Sequence, residues 1–208
     1  MVSVSKNKAV SFMYSDPRLY KLIMKILYGK YYLDRYKVVN ELVPDGSGVL
    51  DMCCGDCELY KSFFAHRNIF YTGIDYNAKF VSYAKKNSIN VILSDIRKDI
   101  IPRTDYIIMQ GSLYQFIPDH KDLIDRLLNS TRKQLIITEP IINLSSSNNP
   151  IIRFVAQRSG NPGTGHAFHR FTEKSFHSFF LDNYKKLVVK FDFIPGGREM
   201  MVILNSRS

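Results

Sequence analysis

Between residues 49 and 140 short apolar runs alternate with amphipathic stretches, and this alternation constrains the fold more than anything else in the chain. Residues 49–52, 70–74, 91–93, 106–109 and 135–138 are short, largely apolar runs that read as strands. The intervals between them hold helices at 57–66 and 77–87, the latter with Phe80, Val81 and Ala84 facing inward, and one carrying Leu123, Ile124, Leu127 and Leu128. Buried strands that alternate with helices predict a parallel sheet covered on both faces.

The flanks complete the pattern. Asp16-Pro17 is a capping residue followed by proline at the first helical position, and Leu19, Tyr20, Ile23, Met24 and Leu27 recur at helical spacing. A second apolar stripe from Leu33 to Val43 ends at the turn 44–48, so two helices precede the first strand. Residues 143–150 and 159–165 are loop-rich and surround a predicted helix at 150–158. After a helix opened by Thr172, predicted strands at 187–193 and 200–204 are joined by so short a link that only an antiparallel hairpin fits. The expectation is one α/β domain over 1–208: N-terminal helices (1–48), a core (49–140), an insertion (141–172) and a C-terminal helix and hairpin (173–208). Its sheet has seven strands, the last antiparallel to the other six.

Composition excludes several classes. With 45% hydrophobic and 23% charged residues the chain is neither disordered nor fibrous. No stretch reaches the roughly 18 uncharged apolar residues of a membrane helix, and the N-terminus has no apolar signal region. All three cysteines fall within Cys53-Cys54-Gly55-Asp56-Cys57, too close together to staple distant segments. They read as reduced thiols with a packing role, and the chain as cytoplasmic. The net charge of +10 divides into +4 over 1–48, +1 over 49–140 and +5 over 141–208, without any basic run. A basic surface around a nearly neutral core leaves nucleic acid open as a partner but lacks the basic and aromatic stripe that would favour it.

Ligands of open parallel sheets bind beyond the carboxyl ends of the strands. Four of the five ends here carry a carboxylate: Asp51, Asp75, Asp95 and Glu139, with Gln110 ending the fourth strand. Any one of them reads equally as a turn residue, but jointly that reading weakens. Asp75 follows Gly55 by twenty residues, the interval at which a carboxylate reaches the ribose of a nucleotide held at the first turn. Asp95, twenty further on, is placed to accept from an adenine amino group. A dinucleotide fits less well, because Glu58 stands where the third glycine of its fingerprint belongs.

On these residues the chain resembles the class I S-adenosylmethionine-dependent methyltransferases, whose first strand ends Asp/Glu-x-Gly-x-Gly-x-Gly. Here it reads Asp51-Met52-Cys53-Cys54-Gly55-Asp56-Cys57, with the central glycine kept and cysteine at the outer two positions. The resemblance implies a Rossmann-like fold with S-adenosylmethionine as cofactor. It also implies that Asp51 orients the methionine amino group, that Cys53, Gly55 and Cys57 form the loop under the cofactor, that Asp75 binds the ribose, and that Tyr76 next to it contacts the cofactor. Asp95 and the Ile96 amide would serve adenine, and Gln110 the methionine end. The three thiols also read as metal ligands, but a fourth cysteine is missing, and no metal is expected.

For the acceptor, His166, His169 and Arg170 form the densest functional cluster of the insertion. Histidine takes a proton near neutral pH and arginine grips an acidic group, although the same histidines also read as caps of the following helix. Tyr114, Glu139 and Arg170 are expected at the acceptor, and His166 or His169 as the base where one is needed. A small-molecule acceptor is favoured over RNA, and a non-catalytic S-adenosylmethionine-binding module stays as the third reading. Nothing in the sequence speaks to oligomeric state.

Overall fold

The computed structural model describes residues 12–142 and 170–207. Strands β1 (Gly48–Met52), β2 (Phe70–Asp75), β3 (Val91–Leu93), β4 (Thr104–Gln110), β5 (Thr131–Pro140), β6 (Val188–Phe193) and β7 (Glu199–Asn205) form one sheet ordered β3-β2-β1-β4-β5-β7-β6. Neighbours among the first five are parallel, and β7 runs antiparallel to both β5 and β6. Only β7 is therefore reversed, as the short link before it requires. The order changes direction between β1 and β4, which opens a crevice at their carboxyl ends.

Helices α1 (Pro17–Tyr28), α2 (Asp34–Leu42), α3 (Glu58–Ser62) and α4 (Ala78–Lys86) cover one face, where Ile23, Val39, Leu59 and Val81 pack with Val49, Ile108 and Ile136. Helices α5 (His120–Ser130) and α6 (Glu173–Tyr184) cover the other, where Leu123, Ile124 and Leu127 of α5 and Phe176 and Phe180 of α6 pack with Leu50, Ile107 and Met109. The central strands are buried on both sides, which is why they read as unbroken apolar runs.

Local signals set the helix ends. The Asp16 carboxylate accepts from the amides of Arg18 (2.7 Å) and Leu19 (3.2 Å) with Pro17 next in line, and Thr172 and Ser175 cap α6 reciprocally. The helix expected at 57–66 stops at Ser62: Phe63 leaves helical geometry (φ −135°), and a 3-10 turn, Phe64–His66, buries Phe64. β4 and β5 run longer than their apolar centres, because ladder pairing continues through polar residues that periodicity does not register. The helix expected at 150–158, the glycine-rich segment before His166, and His166 and His169 themselves lie outside the described residues. Among the described residues no helix is long and apolar enough to cross a membrane.

Gly73 shows how tightly β2 meets the first loop. A β-carbon there would stand 2.7 Å from Cys54 Sγ and 3.1 Å from both Tyr71 Oη and Val91 Cγ2. Gly73→Ala should therefore destabilise the fold by about 1–3 kcal/mol through overpacking. Urea denaturation checks this, and a midpoint equal to the parent's would contradict the packing described.

Candidate active site

The loop after β1 turns through three left-handed residues, Cys53 (φ 56°), Gly55 (φ 54°) and Cys57 (φ 58°). These are the three positions at which the resembling motif carries glycine. The cysteines change the side chains there while the backbone still takes the conformation glycine favours. Three hydrogen bonds hold the turn: Cys57 N to Cys54 O (2.9 Å), Cys54 N to Ile74 O (3.1 Å) and Gly55 N to Asp75 Oδ2 (2.9 Å).

Asp75, at the end of β2, is buried, and its other oxygen accepts from Asn77 N at 2.8 Å. One carboxylate thus ties the β1 loop to the start of α4. Burial raises its pKa, opposed by these backbone donors. Above the loop lies a cleft lined by Cys53, Gly55, Asp75, Tyr76, Asp95 and Ile96 together with Tyr14, Tyr20 and Phe80. Tyr20 stands edge-on to Phe80 (centroids 5.4 Å apart) and tilted to Tyr14 (5.8 Å), so the N-terminal segment supplies an aromatic wall.

Asp95 is gripped by the Arg97 side chain (2.7 and 2.8 Å), which holds its carboxyl below the usual range. Arg126 fixes the same turn by donating to the carbonyls of Ile96 (2.6 Å) and Arg97 (2.8 Å). A second, small pocket shares Tyr20 and Cys53 with the first and adds Arg35, Asp51, Asp56 and Gln110. Asp51 accepts from Tyr71 Oη at 2.9 Å, yet burial pushes its pKa up to about 7. Gln110 donates through Nε2 to Arg35 O at 3.1 Å. Cys57 is fully buried beneath the loop, its Sγ 3.7 Å from Cys54 Sγ.

On the β4–β5 side, Glu139 is fully buried and accepts from the amides of Leu113 (2.5 Å) and Tyr114 (3.4 Å). Burial pushes its pKa up to about 8 against those donors and Arg170. The Arg170 guanidinium lies 3.6 Å from the Tyr114 ring centroid. The structure thus brings Cys53, Gly55, Asp75, Tyr76, Asp95 and Ile96 to one cleft, Asp51 and Gln110 to the cavity that shares Tyr20 and Cys53 with it, and Tyr114, Glu139 and Arg170 together.

Sequence reasoning missed Arg97, although an arginine two residues after Asp95 in the same turn was a usable signal. It also missed the buried network in which Glu199 takes Arg35 Nη2 (2.7 Å), Arg35 Nε (3.1 Å) and Tyr28 Oη (2.6 Å). Partners 164 positions apart leave no local trace.

Known proteins share this architecture. A chain from the complex between the Haloferax volcanii Trm112 methyltransferase activator and a methyltransferase superposes with a TM-score of 0.70 at 9% identity, covering 97% of this chain and 100% of that one. The plantazolicin methyltransferase BpumL in complex with SAH gives 0.61 at 16% identity, covering 94% and 93%. A SAM-dependent methyltransferase from Aquifex aeolicus gives 0.60 at 16% identity, covering 90% and 98%. At such identities the likeness is one of fold, and a search of curated proteins finds no match. The fold, with its crevice at the β1/β4 switch, is that of the class I S-adenosylmethionine-dependent methyltransferases. The family model described as methionine biosynthesis protein MetW matches residues 34–145, more than half of the chain, which therefore belongs to the MetW family.

Proposed function

We propose that this protein transfers the methyl group of S-adenosylmethionine to a small-molecule acceptor. The observation that carries the reading is the pair of cavities over the β1 loop that share Tyr20 and Cys53, one presenting Asp75 and Asp95 and the other Asp51 and Gln110. The first suits the ribose and adenine, the second the methionine ammonium, and Cys53 and Tyr20 stand where they meet. The cofactor supplies a methyl group already activated by its sulfonium. The chain's work is then to align an acceptor nucleophile and exclude water, which the Tyr14, Tyr20 and Phe80 wall favours.

The acceptor approaches from the ends of β4 and β5, beside Tyr114 and Arg170, with Glu139 holding the Tyr114 turn from below. His166 or His169 serves as base for a hydroxyl or protonated amine, and Arg170 fixes an acidic group. Arg170→Ala should chiefly raise the acceptor's KM and leave S-adenosylmethionine affinity nearly unchanged; a fall in cofactor affinity alone would contradict that role. The reading includes a cytoplasmic location, in keeping with three free cysteines.

Calorimetry with S-adenosylmethionine followed by turnover with candidate acceptors tests the proposal. Binding without turnover of any acceptor supports a non-catalytic module, and strongly salt-dependent RNA binding supports a nucleic-acid substrate.

Asp51 adds a pH test. An ammonium beside it favours the carboxylate, so binding expels a proton wherever Asp51 is protonated in the free protein. Affinity should rise with pH up to about 7 and level off above it, by at most about tenfold per unit. The sign for folding is opposite: the raised pKa stabilises the unliganded protein below the unfolded value, and that contribution is lost as pH rises through about 7. A flat affinity between about pH 5 and about pH 8 would remove Asp51 from the ammonium site.

A further inference from the structure

The Cys54 and Cys57 thiols lie 3.7 Å apart in a Cys-x-x-Cys turn that forms the floor of the cleft. The Cys57 N to Cys54 O bond (2.9 Å) closes a four-residue turn, whose end α-carbons lie within the separation a disulfide spans. Cys54 is half-buried and borders the second cavity, whereas Cys57 is buried and lines neither cavity, so Cys54 is the thiol placed to meet an oxidant and Cys57 the resolving one. Cys53 lines both cavities and has no thiol partner at that distance among the described residues.

We propose that Cys54 and Cys57 form a reversible disulfide that switches cofactor binding off. With a peroxide as oxidant, the Cys54 thiolate attacks the O–O bond, giving a sulfenic acid and releasing hydroxide. The Cys57 sulfur then attacks the sulfenic sulfur and expels the oxygen, so that two thiols and one hydrogen peroxide give one disulfide and two waters. A thiol reductant restores both cysteines. Closing the bond draws the two sulfurs from 3.7 Å to bonding distance across Gly55-Asp56 and reshapes the turn whose Gly55 amide donates to Asp75 at the border of the nucleoside cleft.

The contact with Cys57, burial, and the neighbouring carboxylates of Asp51 and Asp75 hold the Cys54 thiol well above the ordinary range, and the Tyr71 hydroxyl of β2 faces the same sulfur. Oxidation should accordingly be slow at neutral pH and accelerate as pH rises. The effect on binding rests on the cofactor reading above; disulfide formation does not, so the two fail separately.

The test treats reduced protein with hydrogen peroxide and follows intact mass, peptide mapping and S-adenosylmethionine affinity before and after a thiol reductant. The expected result is loss of two hydrogen atoms, a peptide linking Cys54 to Cys57, and an affinity reduced about tenfold or more that the reductant restores. Cys54→Ser should show no linked peptide and, whatever its own affinity, no change on oxidation. A linkage through Cys53, or addition of oxygen atoms without a disulfide, overturns the site. A disulfide that leaves the parent's affinity unchanged overturns the switch, and a parent that binds no S-adenosylmethionine when reduced overturns the cofactor reading instead.

Discussion

Asp75→Ala should lower S-adenosylmethionine affinity on the order of 10 to 100-fold, equivalent to about 1.5–3 kcal/mol for a lost charge-assisted hydrogen-bonding group. The carboxylate acts twice. Its oxygens hold the amides of Gly55 (2.9 Å) and Asn77 (2.8 Å), fixing the loop and the start of α4, and it borders the cleft where ribose hydroxyls are expected. Asp75→Asn keeps the shape but offers an NH₂ where one oxygen faced an amide donor, so it should also weaken binding. Calorimetry on both variants, with thermal unfolding as a check of folding, decides the matter. Unchanged affinity in Asp75→Ala would end the assignment of this cleft to the cofactor.

The largest effect on stability is expected at Glu199. Its carboxylate receives two donors from Arg35 and one from Tyr28, and the ion pair is almost fully buried, with side-chain exposures of 1% for Glu199 and 3% for Arg35. Arg35 is further stacked by the rings of Tyr28 (4.4 Å) and Tyr36 (5.1 Å). Removing the carboxylate strands a guanidinium in the interior, which typically costs about 3–5 kcal/mol. Glu199→Ala should lose that much in urea denaturation, whereas the double variant Arg35→Met with Glu199→Ala should recover a large part of it. A single variant within about 1 kcal/mol of the parent would show that water or rearrangement relieves the charge. Because the pair ties α2 to β7 while Arg35 also borders the second cavity, partial loosening should appear in cofactor affinity as well.

Much of this was legible without coordinates, for a physical reason. Strand and helix periodicity records which side chains must leave water, so β1 to β5, the hairpin β6–β7 and the start of α1 at Asp16-Pro17 could all be read directly. The carboxylates at the strand ends were equally visible, since a parallel sheet places its loops at one edge, and Asp51, Asp75 and Asp95 do border neighbouring cavities. Local chemistry set these features, and local chemistry is what a sequence displays.

Tertiary structure decided the rest. Whether cysteine could stand at the outer positions of the loop depended on backbone geometry, and Cys53 and Cys57 take the left-handed conformation in a turn held by hydrogen bonds that its amides donate to the end of β2. The engagement of Glu139 with two backbone amides, and of Asp95 with Arg97, determined how those carboxylates are occupied. The Arg35–Glu199 pair joins residues that only the sheet order brings together. Burial, and with it the raised pKa of Asp51, is a property of everything packed around a group, and no stretch of neighbouring residues encodes it.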